Sequence, residues 1–129
     1  VTAYRTSFAH ASLTFANLYT ADLRESNFDY ASGAMANFYS ANLARSWFFR
    51  SNFMSANFTS ANLYDARFRR ANLSEALLRS ANLTSATVVG SNLTKAELTS
   101  ANLDDANLAG TDMEDAKFTA DSIREAYKK

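Results

Sequence analysis

The chain has no cysteine and no proline, and only three of its 129 residues are glycine. Without cysteine there is no disulfide bond, thiolate metal site or thiol nucleophile, and the redox compartment is left open. The lack of proline suggests that nearly every backbone N–H donates a hydrogen bond that the fold requires. Disordered chains of similar polarity usually contain proline and glycine, so we expect an ordered fold.

The chain also lacks an excess of charge of either sign, because thirteen basic side chains balance thirteen acidic ones. No global field would then attract nucleic acid or an anionic membrane. No apolar run approaches the roughly 18 residues that span a bilayer, and no signal-peptide segment precedes the repeat, so we expect no membrane insertion. The compartment is undetermined, since the cytoplasm, a periplasm and a thylakoid lumen all suit this composition.

What the chain does contain is a five-residue repeat. Residues 55–84 read SANFTSANLYDARFRRANLSEALLRSANLT, in which Ala, usually Asn, and then Leu or Phe precede two variable residues. We number these positions 1 to 5. Position 3 is Leu or Phe in nearly every repeat from Phe8 to Phe118, and position 1 is Ala or Ser from Ala11 to Ala116. The exceptions in these ranges are Gly33, Val88 and Met113 at position 3, and Thr111 at position 1.

A period of five fits neither a straight helix nor a flat strand. On an α-helix five residues advance by about 500°, which would scatter the apolar side chains around the cylinder. On a strand, successive position-3 side chains would alternate between the two faces. If the chain turns a corner after every five residues, positions 1 and 3 can always point inward, and a few such sides close into a coil.

The sequence motif A-N-L-x-x occurs, for example, at Ala16-Asn17-Leu18 and Ala61-Asn62-Leu63. It resembles the repeat of the pentapeptide-repeat family, which is abundant in cyanobacteria. The resemblance covers about residues 6 to 125. It implies an all-β fold, a right-handed quadrilateral β-helix (solenoid) of about six coils with four five-residue sides each. The length of the chain predicts one domain over residues 1–129, with the repeats over about 6–120 and a C-terminal cap over about 121–129.

Both ends of such a stack would expose unpaired edges unless something covers them. Residues 122–125 read S-I-R-E, the spacing of a capping box, and predict a short C-terminal helix over about 121–129. This helix would lay Ile123 or Tyr127 over the last coil. Residues 1–5 show no comparable pattern, so the N-terminal end could be frayed, covered or a contact surface.

Residues twenty apart are expected to stack on one face. The face with Phe8, Phe28, Phe48, Phe68, Val88 and Leu108 at position 3 is here named the Phe face. On its outward side we expect Trp47 over Arg67 and Phe49 over Arg69. We define the docking patch, a candidate protein-docking site, as Tyr30, Arg45, Trp47, Phe49, Arg50, Arg67, Arg69 and Arg70. These residue types are enriched at protein hot spots. The alternative is that they form purely structural cation–π pairs between coils.

No catalytic, cofactor-binding or metal-binding residue is predicted. His10 is the only histidine, has no paired nucleophile and is expected at the surface. Gly33 stands where Leu or Phe is expected, which indicates either a small gap beside Met35 or a bulge. A group of acidic residues on a convex rod would not converge on one Ca²⁺ ion, so we expect a solvated surface. This group is Asp104, Asp105, Asp112, Glu114 and Asp115.

Three function classes follow, and none of them is an enzyme with a small-molecule substrate. The first is a non-enzymatic structural or protein-interaction module with an unknown protein partner, monomeric or weakly dimeric. The resemblance also implies a DNA-mimic type that interacts with gyrase, but zero net charge disfavours it because mimicry requires a strong negative potential. The third is weak nucleic-acid binding through the Arg/aromatic face, which is small and lacks lysine.

Overall fold

The structure, a computed structural model, describes residues 1–123 and residue 126. Its regular elements are β1 (Glu97–Leu98), β2 (Lys117–Phe118) and α1 (Ala120–Ile123). The strands β1 and β2 pair in parallel, with Glu97 opposite Lys117. The other β contacts are isolated parallel bridges, and each joins residues twenty apart in the sequence.

These bridges show a coil that closes every twenty residues. One column of bridged residues passes through Thr2, Asp22, Asn42, Asn62, Asn82 and Asn102. Three more columns begin at Ser7, Ser12 and Asn17. The coil therefore has four sides of five residues each, and the register does not slip over the bridged repeats, as the spacing and the resemblance together predicted.

Each corner is a tight turn that begins at position 3. The N–H of Ala41 donates to the carbonyl of Phe38 at 3.0 Å, and Ser40 between them has a φ of 53°. A positive φ at the third of four turn residues is typical of a type II turn. Position 5 has a positive φ in every repeat from residue 5 to residue 115, so all of these corners share one geometry.

The hydrogen bonds of one inner repeat, residues 61–65, account for every backbone N–H. Position 1 closes the preceding turn at 3.0 Å, and position 2 donates to the coil before it at 2.9 Å. Positions 3 and 5 donate to the coil after it at 2.7 and 2.9 Å. The N–H of Tyr64 at position 4 donates instead to Oδ1 of Asn62 at 3.1 Å. A proline at position 1, 2, 3 or 5 would remove a bond to a backbone carbonyl, which accounts for the absence of proline from these positions.

The Asn side chains at position 2 also form hydrogen bonds with one another between successive coils of the solenoid, whose body is called the shaft below. Asn62 Nδ2 donates to Asn42 Oδ1 at 3.2 Å, and Asn82 Nδ2 donates to Asn62 Oδ1 at 3.4 Å. The Asn side chains of these successive coils therefore form a hydrogen-bonded ladder. Each Asn has two roles, since its oxygen also accepts the N–H of position 4.

Positions 1 and 3 fill the shaft. On the Phe face, the rings of Phe8 and Phe28 stack at 4.9 Å, those of Phe28 and Phe48 at 4.9 Å, and those of Phe48 and Phe68 at 4.4 Å. Where position 1 is Ser, its hydroxyl bonds to backbone: Ser46 Oγ donates to the carbonyl of Leu23 at 2.9 Å. Among the residues that the structure describes, no buried side-chain polar atom lacks a partner.

Gly33 is neither a gap nor a bulge. Its N–H donates to the carbonyl of Asn52 at 2.6 Å, and Ser32 beside it bridges Ser12 and Asn52 in the regular register. A Cβ on Gly33 would overlap Cε1 and Cδ1 of the Phe53 ring and lie 3.0 Å from its Cζ. Both interpretations of the sequence were wrong, because a ring from the next coil fills the space.

The C-terminal helix differs from its prediction where the structure describes it. Over residues 120–123 only the single turn α1 is seen, so a capping helix of the predicted length is not observed there. Residues 124, 125 and 127–129 lie outside the described residues, as do the predicted contacts of Ile123 and Tyr127. Ser122, the first residue of the capping-box sequence, lies within α1 and is buried, and its Oγ lies 2.6 Å from Thr119 Oγ1.

Candidate docking site

The docking patch lies on the outward side of the Phe face, mostly on two successive coils. The bridge between Trp47 and Arg67 places these side chains in one column. The N–H of Arg50 donates to the carbonyl of Arg69 at 3.1 Å, which aligns the two corners. Residues that are far apart in sequence, such as Arg50 and Arg70, thus share one surface because twenty residues complete a coil.

Two arginines of the patch lie on aromatic rings. The guanidinium carbon of Arg67 is 5.7 Å from the centroid of the Trp47 ring, as predicted. The guanidinium carbon of Arg50 lies 5.6 Å from the centroid of the Phe49 ring, whereas we expected Arg69 beside this ring. Arg50 directly follows Phe49 in the corner turn, so its guanidinium reaches the ring from the same coil. Arg69 is left exposed.

Tyr30 extends the aromatic part of the patch towards the N-terminus. Its ring stacks on His10, with centroids 5.0 Å apart, and meets the edge of Phe49 at 5.6 Å. His10 is exposed, as expected. Its contact with Tyr30 was not foreseen, although the twenty-residue spacing of these two residues is the pattern that could have indicated it.

Asp29 supports the patch and was missed by sequence reasoning. Trp47 occupies position 2, where Asn would accept the N–H of position 4. Without that amide oxygen, the N–H of Phe49 donates to Asp29 Oδ1 in the preceding coil at 2.8 Å. Asp29 is the only acidic residue at the outward positions of the Phe face. Its carboxylate is therefore bound to the backbone beneath the arginines.

Four arginines of the patch lack a carboxylate partner. Over residues 1–123, no ion pair within 4.0 Å involves Arg50, Arg67, Arg69 or Arg70, and all four are exposed. Arg45, at the preceding corner, is 3.8 Å from Asp65 and lies 5.5 Å from the centroid of the Tyr64 ring. The patch therefore combines four uncompensated positive charges with one loosely paired arginine at its border.

The other arginines that the structure describes are paired with carboxylates. Arg5 contacts Glu25 at 2.6 Å and Arg24 contacts Asp22 at 2.8 Å. The hydrogen bond from Arg24 lowers the pKa of Asp22, and hydrogen bonds from Arg5 and then Tyr4 lower the pKa of Glu25. Arg79 forms an ion pair with Glu97. The lack of carboxylates is thus a property of the patch rather than of all arginines in the chain.

Two of the four faces are uncharged in the first three coils. Residues 11–20, 31–40 and 51–60 contain no Asp, Glu, Lys, Arg or His. Several of their outward side chains are apolar and exposed, namely Phe15, Tyr19, Met35, Tyr39 and Met54. The charged residues of this half of the shaft therefore lie on the Phe face and on the face of Leu23 and Leu43.

The other candidate sites have weaker geometry. A polar groove of about 450 Å³ lies between the last coil and α1, lined by residues that include Asn102, Asp104 and Thr119. Within the described part of the chain, no group of three or more His, Asp or Glu residues could hold a metal ion. Asp104, Asp105, Asp112, Glu114 and Asp115 are all exposed, as expected of a solvated surface.

Comparison with known families gives a match over most of the chain. The family model for pentapeptide repeats matches in eight copies, over residues 4–32, 36–74, 61–99 and 81–119. No curated protein matches the chain. As far as the structure describes the chain, none of its helices has the length and apolar character needed to cross a membrane.

Similar solved structures are also pentapeptide repeat proteins. Rfr23 from the cyanobacterium Cyanothece 51142 is 28% identical, with a TM-score of 0.57, over 66% of this chain and 61% of that chain. HetL from Nostoc sp. strain PCC 7120, involved in heterocyst differentiation regulation, is 31% identical over 89% of this chain and 60% of that one, with a TM-score of 0.39. A protein of the Arabidopsis thaliana thylakoid lumen is 27% identical over 78% and 63%, with a TM-score of 0.45.

This chain spans about three fifths of the length of those three structures. The family model, by contrast, matches most of the chain, and the twenty-residue coil with four sides is the architecture of that family. The chain therefore belongs to the pentapeptide-repeat family and folds as a right-handed quadrilateral β-helix.

Proposed function

We propose that this chain is a non-enzymatic module that binds another protein through the docking patch. The observation that carries the proposal is the group of four exposed arginines without carboxylate partners, beside Trp47 and Tyr30 on a flat β face. Repeat proteins commonly present extended surfaces of this kind to partners. Arg, Trp and Tyr are the residue types that most often dominate binding energy at protein interfaces.

A purely structural role does not account for the whole patch. Arg67 and Arg50 do pack on aromatic rings, and an exposed pair of this kind stabilises by about 0.5–1 kcal/mol. No aromatic ring or carboxylate contact is found for Arg69 or Arg70 in the described residues. Four exposed like charges on two coils gain nothing from one another, and a carboxylate of a partner would be attracted to them. This supports a role in binding.

The charge of the patch also bears on the two other function classes. A DNA mimic that interacts with gyrase would need a distributed negative potential. The outward positions of the Phe face instead hold four arginines and one aspartate, Asp29, over residues 26–70. Weak nucleic-acid binding through these arginines is the competing function, and binding of duplex DNA distinguishes it from protein docking.

We also propose that the repeats form one domain, with the turn α1 closing its C-terminal end. Buried Ser122 supports this, because its Oγ donates to the carbonyl of Leu98 at 3.3 Å. Removing residues 120–129 would then expose the last coil and lower the melting temperature. An unchanged melting temperature would show that this segment covers nothing.

A capture experiment tests the proposed binding. Wild-type chain, the variant Trp47→Ala/Arg69→Ala and the control Tyr39→Ala/Thr59→Ala would be immobilised and exposed to lysate of the source organism. The control residues lie on an uncharged face. We expect a protein that the wild type and control retain and the patch variant loses. Identical sets of retained proteins for all three baits would contradict the proposal.

A further inference from the structure

We infer that the docking patch binds an acidic segment of its partner protein, with carboxylates clustered on one side of that segment. This inference rests on the proposed function and adds the chemistry of the partner. It starts from the four arginines for which the described residues provide no carboxylate. Guanidinium groups bind carboxylates through paired hydrogen bonds, and a partner carboxylate would replace the missing intramolecular one.

The spacing of the arginines suits such a segment. Arg50 and Arg70 occupy the same position in successive coils, so their backbones are about 4.8 Å apart. Arg67 and Arg69 are two residues apart on one side, which corresponds to about 6.6 Å. Acidic side chains three or four residues apart on a helix are about 5–6 Å apart, so one helix face can supply carboxylates at matching intervals.

Nucleic acid fits the same surface less well. Sequence-tolerant binding of single strands uses aromatic faces on which bases stack. Here Arg67 covers the Trp47 ring, Arg50 lies on the Phe49 ring, and Tyr30 is stacked on His10. A base would have to displace these neighbours. The patch is also only two coils deep, whereas phosphate binding strengthens with the number of charges neutralised along the strand.

The surroundings of the patch restrict the contact to a short segment. Asp65 lies beside Arg45 at one border of the patch, and Asp29 lies in the coil before Phe49. A longer acidic stretch would meet these carboxylates and be repelled. With zero net charge on the chain, attraction arises from the patch itself and is screened at high salt.

Binding of synthetic peptides tests this inference directly. The probe is a fluorescent helical peptide of about 20 residues whose Glu residues, three and four residues apart on one face, are confined to its two central turns, and its control replaces every Glu with Gln. Anisotropy would be measured at about 50 mM and 300 mM salt, where screening differs strongly. The proteins are wild type, Arg69→Gln/Arg70→Gln, and Arg79→Gln, an arginine on another face that pairs with Glu97.

We expect the Glu peptide to bind wild type and the Arg79→Gln control with affinities within about twofold. The patch variant should bind roughly tenfold more weakly, on the scale of two lost charge contacts. High salt should weaken binding to wild type, and the Gln peptide should not bind. Circular dichroism of each variant establishes that these exposed substitutions leave the fold intact.

Three results would overturn the inference: equal binding of the Glu and Gln peptides, no effect of the patch variant, or tighter Arg-dependent binding of duplex DNA than of the Glu peptide. The capture experiment separates this failure from failure of the proposed function. If capture depends on the patch while the Glu peptide does not bind, the patch docks a protein of other chemistry. If the Glu peptide binds and patch-dependent capture is absent, the surface recognises acidic segments and the docking role itself is contradicted.

Discussion

The ring of Phe53 occupies the space that a side chain on Gly33 would take in the preceding coil. Phe53 is fully buried, and its ring meets those of Phe38, Phe48 and Phe28 edge-on at 5.6, 5.3 and 6.1 Å. A small residue in one coil is thus compensated by a large one in the next. The core is therefore packed between coils as well as within each coil.

Gly33→Leu should destabilise the chain although it restores the repeat consensus. The new side chain would collide with Phe53, and such overpacking typically costs about 1–3 kcal/mol. Phe53→Leu alone should also destabilise, because it removes ring contacts. The double variant should be more stable than the sum of the two effects predicts, since Leu then faces Leu. Guanidinium unfolding of all four proteins measures this, and strictly additive effects would contradict the packing account.

Asn62→Ala should lower the free energy of unfolding by about 1–3 kcal/mol. The substitution leaves the N–H of Tyr64 without its acceptor and breaks the ladder bonds to Asn42 and Asn82. Thr59→Ala, an outward substitution on another face, serves as the control and should change stability by less than about 0.5 kcal/mol. Equal effects of the two substitutions in thermal unfolding would show that the Asn ladder does not stabilise the coil.

Proline should be tolerated at position 4 and not at position 2. Thr59→Pro loses only the bond from its N–H to Asn57 Oδ1, worth about 1 kcal/mol, and the second residue of a type II turn suits proline. Leu77→Pro removes the intercoil bond from Leu77 N–H to the Ala56 carbonyl and places the ring against the neighbouring coil. The unfolding midpoint should fall much further for Leu77→Pro. The reverse order would contradict the hydrogen-bond assignment.

The ion pairs on the face of Leu23 should stabilise the chain only above acidic pH. The pKa values of Asp22 and Glu25 are lowered by Arg24 and Arg5, so their contribution is present above the unfolded values of about 4. It is lost as pH falls through the lower folded values. The difference in urea stability between wild type and Arg5→Gln should therefore shrink from pH 7 towards pH 3. A difference that is independent of pH would contradict this linkage.

The repeating part of the fold could be predicted from sequence because its positions never slip. Asn recurs at one place in four successive coils, at residues 42, 62, 82 and 102, so a side-chain ladder follows from the twenty-residue spacing. The number of sides did not follow from the period, since a five-residue side can close into a coil in more than one way. It came from the resemblance, and bridges such as Asn42–Asn62 then confirmed it.

The exceptions to the repeat could not be predicted because they depend on neighbours in other coils and on side-chain rotamers. The sequence shows that Gly33 is small but not that Phe53 turns its ring into the vacated space. Likewise, Trp47 marks a missing Asn, yet only the structure shows Asp29 accepting the N–H of Phe49. The sequence also could not show that the guanidinium of Arg50, rather than that of Arg69, packs on the Phe49 ring, because this depends on side-chain rotamers.

The docking patch exists only if residues twenty apart lie side by side, and engineered disulfides measure this directly. Thr87 and Asn107 are bridged outward residues on the Phe face, beyond the patch, and the chain has no native cysteine. Neighbouring coils place their Cα atoms about 4.8 Å apart, within the range for a disulfide. Thr87→Cys/Asn107→Cys should form an intramolecular disulfide on mild oxidation, and the offset pair Thr87→Cys/Ala109→Cys should stay largely reduced. Equal oxidation of the two pairs, or faster oxidation of the offset pair, would contradict the twenty-residue coil.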